Sequence, residues 1–438
     1  MSNKASLLFL VALAIGANAS PAPAPVVGRE ITVALRNRAN LTTSDGVFDK
    51  DKILHATDRT INKHRQNLLN LKNNKGADAL PEGANLDPRQ YTPGWKRQAE
   101  PLTDQVDGRE WTGTVSVGTP GQQFLIDFDT GSADLWVPSS TCKSYACGFK
   151  STYKASNSVT SVKKSETFLI KYEDGTEVSG PTYTDAVTIA GIQVTKQWFS
   201  AVTTMSDNYA TDPADGVLGL AFPAVSELNQ SPWFTTAYTE KKLKKNQFGF
   251  FLGTSGSELY LGGTHAAKYI GGLEFHSIDP KYGYWLVPGA SAKVGSTTAV
   301  SGFETIIDSG TTLMYGPPAE VAKLYAKIPG GGPFLPEYGT LNGVLRLGGD
   351  LDIAPGLYQY TCNPEPKISF NWGGKDWVVS SAYFNLGLTA KGSTKCVGAL
   401  IGETIIGNNI WLLGDAFMQN VYTAFDFDKE AVGFAALA

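Results

Sequence analysis

Histidine and cysteine are both scarce in this chain, at four each in 438 residues, and their scarcity removes several kinds of catalyst. Beyond residue 97 only His265 and His276 remain, neither in an HExxH, so a zinc-peptidase helix is excluded. No G-x-S-x-G occurs to carry a serine nucleophile. Cys142, Cys147, Cys362 and Cys396 form no CxxC and have no histidine beside them, which argues against zinc. Four cysteines allow three connectivities; two local pairs, Cys142 with Cys147 and Cys362 with Cys396, are preferred, each stapling its own half. That pairing leaves no thiol for catalysis, and neither metal nor cofactor is expected.

Long apolar runs are also missing after the N-terminus. "MSNKASLLFLVALAIGANAS" has one early lysine, an apolar run from Leu7 and a small-x-small site at Ala17-Asn18-Ala19. It reads as a secretory leader over 1–19, too short to serve as a span. No later stretch approaches 18 uninterrupted apolar residues, so an exported chain without a membrane anchor is expected.

Charge is modest in amount and uneven in placement. From Ser20 to Arg97 there are 13 Lys+Arg against 8 Asp+Glu; from Gln98 onward there are 23 against 33. A basic segment before an acidic body fits an inhibitor covering an enzyme, and the acidic body argues against nucleic acid as a partner. Within the basic segment, "DKDKILHATDRTINKHRQNLLNLKNNKG" reads as an amphipathic helix with Ile61, Leu68, Leu69 and Leu71 as its apolar residues. A solvated helix and one contacting the site are equally compatible with that pattern. Lys96-Arg97 lies between the composition change and the first strand, and is read as a processing site leaving 341 residues. Sequons stand at Asn40-Leu41-Thr42 and Asn229-Gln230-Ser231, the second weakened by Pro232.

From Trp111 the texture becomes short alternating runs divided by glycine and Asx turns, with 47 glycines in all, and a mainly β protein follows. "PAEVAKLYAKI" and "PWFTTAYTEKKL" are the helical exceptions. A long-period repeat also emerges: "FLIDFDTGSADLWVP" parallels "TIIDSGTTLMYGPP", with Asp129 and Asp308 179 positions apart. Each half has a second apolar-glycine segment, "ADGVLGLAF" and "IWLLGDAFM". Two copies imply two lobes, with one carboxylate from each facing a cleft.

One turn aspartate is most often structural. The pair is different, because glycine follows each aspartate by two and hydroxyls follow by one and three. Thr130, Gly131 and Ser132 fill those places in the first copy; Ser309, Gly310 and Thr311 fill them in the second. Two facing carboxylates cannot both ionise comfortably, so one serves as base for a water and the other keeps a proton to polarise a carbonyl. A glycosidase also uses two acids, but that does not account for the duplicated hydroxyl-glycine turns.

On these motifs, together with "DGVLGLA", "WLLGDAF" and "YTAFDFDKEAVGFA", the chain from about residue 111 onward resembles the pepsin family of aspartic proteases. The resemblance implies a bilobal double-β-barrel architecture, a leader at 1–19, a propeptide at 20–97, and lobes at 98–276 and 277–438. It implies catalytic Asp129 and Asp308, with Thr130 and Ser309 cross-bracing the two turns. It also places the two disulfides at Cys142–Cys147 and Cys362–Cys396. "IKYEDGTEVSG" looks like that family's flap, implying a substrate-facing Tyr172 partnered by Trp136, followed by Glu173, Asp174 and Gly175. Glu173 stands where the family usually has glycine, and Asp174 implies tolerance of lysine before the scissile bond. The function so implied is a secreted, monomeric acid endopeptidase made as a zymogen, with polypeptide substrates and its own propeptide as inhibitor. A vacuolar or lysosomal-type protease and an inert pepsin-like binding protein are the rival readings.

Overall fold

The computed structural model describes residues 28–35, 41–86, 111–171, 177–334 and 356–438. The leader at 1–19, the Lys96-Arg97 pair, Asn40 and the flap tip from Tyr172 through Gly175 lie outside those residues.

Each half is built on the same device. In the first, strand Gln122–Asp129 runs parallel to strand Gly216–Gly219, with Asp129 opposite Gly219. In the second, strand Thr297–Ile307 runs parallel to strand Ile410–Leu413, with Ile307 opposite Leu413. A third short strand then pairs antiparallel with the same central strand, Leu135 on Leu218 in one half and Met314 on Leu413 in the other. The partner segments expected from the repeat are therefore the central strands. The central strands are apolar throughout, and the flanking strands set Ile126, Phe128, Ile306 and Ile307 beside them; these four are buried, as are Leu412 and Leu413.

The two halves rest on a six-stranded sheet that takes strands from both: Glu258–Leu261, Gln247–Phe251 and Tyr269–Ser277 lie with Tyr422–Asp426 and Ala431–Leu437. Its remaining strand is Ile31–Ala34, from the segment expected to be removed, pairing antiparallel with Glu258–Leu261. Over this sheet Trp285 packs edge-on to Phe427 at 4.6 Å and Phe425 at 5.1 Å, and its indole N–H donates to Leu220 O at 3.1 Å. The helical exceptions form as short helices, Trp233–Thr239 and Pro318–Tyr325. Both local disulfides are present, Cys142–Cys147 and Cys362–Cys396. The second closes 34 residues, a loop for which chain entropy gives about 3–4 kcal/mol of stabilisation.

The long helix is Lys50–Lys75. Asp49 caps it by accepting from Lys52 N–H at 3.1 Å, and it ends at Gly76, whose N–H donates to Lys72 O at 2.9 Å. Its buried face differs from the apolar pattern: Leu68 and Leu71 are buried, but so are Asn62, His64, Gln66, Asn67 and Asn70, while Ile61 and Leu69 are only partly covered. The surface it meets is a polar cleft as well as a strip of core, which takes Ile53, Leu68 and Leu71.

Candidate active site

Asp129 ends its strand and Asp308 directly follows its own, so both carboxylates leave the sheet where the strand pairing stops. The following residues fold back on each carboxylate in the same way. Gly131 N–H donates to Asp129 Oδ1 at 2.8 Å, and Gly310 N–H to Asp308 Oδ1 at 2.9 Å. Ser132 Oγ donates to Asp129 Oδ2 at 2.5 Å, and Thr311 Oγ1 to Asp308 Oδ2 at 2.6 Å. Every oxygen is thus oriented by its own turn.

The turns are also laced to each other. Thr130 Oγ1 donates to Ile307 O at 2.9 Å, and Ser309 Oγ donates to Phe128 O at 2.7 Å. In return, Ser309 N–H donates to Thr130 Oγ1 at 2.9 Å and Thr130 N–H to Ser309 Oγ at 3.0 Å. All four groups are buried, so each lost partner would leave a desolvated polar atom.

The glycines follow from this proximity. A Cβ on Gly131 would stand 2.4 Å from Asp308 Oδ2, and one on Gly310 would stand 2.1 Å from Asp129 Oδ1. Gly310→Ala is expected to keep the fold, read by far-UV circular dichroism, yet lower kcat/KM on the order of a hundredfold by pushing the carboxylates apart. Activity within a factor of three of the parent would show that their close approach is not required.

The helix lies across this pair. Lys63 Nζ is 2.9 Å from Asp129 Oδ1 and 2.9 Å from Asp308 Oδ2, and His64 Nε2 is 2.9 Å from the same Asp308 oxygen. Asn67 donates to Gly131 O at 2.6 Å, Asn70 to Val225 O at 3.0 Å and Asn74 to Ser226 O at 2.9 Å. His64 is fully buried beside the Tyr284 ring, and its Nδ1 has no hydrogen-bond partner among the described residues. That arrangement assigns the neutral tautomer with Nε2–H donating to Asp308.

Electrostatics make the pair unequal. Burial pushes the Asp129 carboxyl above its ordinary range, against the pull of Lys63. Burial would raise Asp308 too, but Lys63 and then His64 hold it well below the usual carboxylate range. Burial alone would lower Lys63, and the two carboxylates overcome it and raise it. His64 is lowered, chiefly by burial. Two adjacent carboxylates with opposite shifts can hold one proton between them, one accepting from water while the other donates.

Trp136 is buried with its indole edge-on to the Tyr209 ring at 5.6 Å; its expected partner Tyr172 lies outside the described residues. Asp127, two residues before Asp129, is buried and lines the cavity beneath the helix. Sequence reasoning did not single out Lys63, His64, Arg59 or Asp212. The available signal was a Lys-His pair inside a helix otherwise flanked by Asn and Gln.

Two carboxylates cross-braced at the junction of duplicated β-lobes define a class, the aspartic-type endopeptidases. The family described as eukaryotic aspartyl protease matches residues 110–437, and the chain belongs to it, in the pepsin family. It is 40% identical over 338 residues to an "Aspartic protease" of Phaffia rhodozyma, covering 77% of this chain and 78% of that protein. It is 31% identical to "Major aspartyl peptidase 1" of Cryptococcus neoformans, covering 77% and 70%. Bovine "Cathepsin D" is 33% identical, covering 77% of this chain and 87% of that protein.

Proposed function

We propose that the chain is a secreted acid endopeptidase made as a zymogen, in which Asp129 and Asp308 activate a water against the peptide carbonyl of an extended substrate. The observation that carries this is the carboxylate pair itself, oriented oxygen by oxygen and joined through Thr130 and Ser309. In the reaction, the ionised carboxylate takes a proton from water as its oxygen adds to the carbonyl carbon. The protonated carboxyl donates to the carbonyl oxygen, and a proton then passes to the leaving nitrogen. Gly131 and Gly310 N–H groups, with Ser132 and Thr311, hold the carboxylates fixed through these exchanges.

The zymogen reading rests on the helix Lys50–Lys75, which places Lys63 on both carboxylates and so occupies the position of water and substrate. Secretion rests on the leader-like N-terminus. Relatives named for fungal aspartic proteases and for cathepsin D stand side by side, so a vacuolar address has equal support from them. Hydrolysis of acid-denatured protein by the processed chain, blocked by a peptide carrying a hydroxyl at the tetrahedral position, tests the chemistry. Binding of that peptide without any hydrolysis would identify an inert binding protein instead. Activity in culture fluid against activity retained in cells decides the address.

A further inference from the structure

Arg59 is one helical turn before Lys63, on the side of the helix that faces the first lobe. Its guanidinium forms an ion pair with Asp212 and lies 5.3 Å over the Tyr209 ring. Asp212 is buried on the cleft wall, and its Oδ1 accepts from Ala214 N–H at 2.8 Å, while Oδ2 faces Arg59. Lys150 secures the same loop from behind, donating to the carbonyls of Asp212 and Ala214. Tyr209 is in turn braced by Trp136. Between helix and lobe a cavity of about 90 Å³ remains, and its acidic walls are Asp127, Asp129, Asp134 and Asp212.

These features make a built receptor for a planar cation: an anion at the base, an aromatic face beside it, and an apolar wall from Ile170, Val178 and Val217. Among the acidic walls Asp134 is already committed, accepting from Ser226 Oγ at 2.6 Å and from Glu227 N–H at 2.7 Å. Burial would push Asp212 up, but the Arg59 and Lys150 charges hold it below the ordinary carboxylate range. Lys150 belongs to the lobe and stays when the helix leaves, so the carboxylate keeps a positive charge near it.

We infer that Asp212 and Tyr209 form a specificity subsite for an arginine or lysine side chain of the substrate, which Arg59 occupies in the closed chain. The inference rests on the endopeptidase reading and goes beyond it by assigning substrate chemistry to a particular place. The helix thereby blocks the enzyme at two points, a lysine on the carboxylate pair and an arginine in the subsite. An extended peptide running along the cleft meets Asp212 at one fixed distance from the scissile bond, so the preference belongs to one substrate position.

The test is a peptide series with an apolar scissile pair in which arginine, lysine or norleucine is moved through the flanking positions. With the processed enzyme at mild acid pH, one position is expected to favour arginine and lysine over norleucine by about tenfold or more in kcat/KM. Asp212→Asn, which keeps the Ala214 hydrogen bond and the side-chain volume, is expected to erase that ratio. Asp212→Lys is expected to turn it towards glutamate at the same position. A residue that merely holds the loop would lower all peptides together and leave the ratio untouched. No position favouring a basic residue, or an Asp212→Asn ratio within twofold of the parent, overturns the subsite. If Asp212→Asn fails to fold, Tyr209→Leu supplies the second reading, a fall in the arginine-over-norleucine ratio at that position. Failure to cleave the all-apolar parent peptide would instead count against the endopeptidase reading.

Discussion

Asp308→Asn is expected to leave less than about a thousandth of the parent's hydrolysis of denatured protein at acid pH, since general acid–base chemistry contributes roughly 10²–10⁴-fold. Asparagine Oδ1 can still accept from Gly310 N–H, and its Nδ2 can donate to Thr311 Oγ1, so the turn has no reason to collapse. It can neither give nor take a proton at the pH of assay. Asp129→Asn is expected to cost as much, and the double variant little more, because groups that share one proton act as a unit. The measurement is kcat/KM of the processed protein, with thermal unfolding as the control for folding. More than a tenth of parental activity in either single variant would mean that one carboxylate suffices.

The second large effect concerns latency. Lys63→Met keeps the stem of the side chain but removes the cation that lies between Asp129 and Asp308. Breaking a buried pair by deleting one partner costs about 3–5 kcal/mol, because the other charges stay buried and uncompensated. That is on the order of a hundredfold to a few thousandfold more open molecules. In a full-length chain with Lys96 and Arg97 both changed to glutamine, a small fluorogenic peptide is expected to be cleaved at pH 5–6 by Lys63→Met while the parent stays silent. Equal silence in both would show that Lys63 does not hold the helix down.

Acid is expected to open the parent in the same assay. His64 is lowered in the closed state, so below 6.5 the released helix binds more protons and closure weakens as pH falls through that window. Asp308 is held down by Lys63 and His64, so its contribution to closure is lost only as pH falls through its lowered range, beneath the window of His64. Asp129, raised by burial, works in the opposite direction, so the first loosening belongs to His64. Latency that grew stronger between pH 6.5 and 4 would contradict this assignment.

The carboxylate pair was legible because its demands are local. An Asx turn needs a hydroxyl or glycine at fixed offsets, and two carboxylates in contact need glycines where a Cβ would strike the opposite oxygen. The three residues after each aspartate therefore carry the whole requirement, and the chain states it twice. The central strands were legible for the same reason, since strands covered on both faces must be apolar. The partners of the long helix were not. Beside Ile53, Leu68 and Leu71, its covered face carries Asn62, His64, Gln66, Asn67 and Asn70, which a hydrophobic periodicity assigns to solvent. Only the tertiary path of the chain turns Arg59 and Lys63 towards carboxylates more than 60 residues away. Asp212 was hidden likewise, since nothing near it in sequence marks a cleft wall.

The bracing of Thr130 and Ser309 has one more consequence. Each hydroxyl donates into the strand that leads to the opposite carboxylate, and each backbone N–H is satisfied by the opposite hydroxyl. Such an exchange, in which each side gives what it receives, is an isologous contact, the kind that joins identical subunits about a two-fold axis. The chain therefore carries inside it the interface of a symmetric dimer, with Thr on one side of the brace and Ser on the other. A substitution at either residue is inherited by both halves at once.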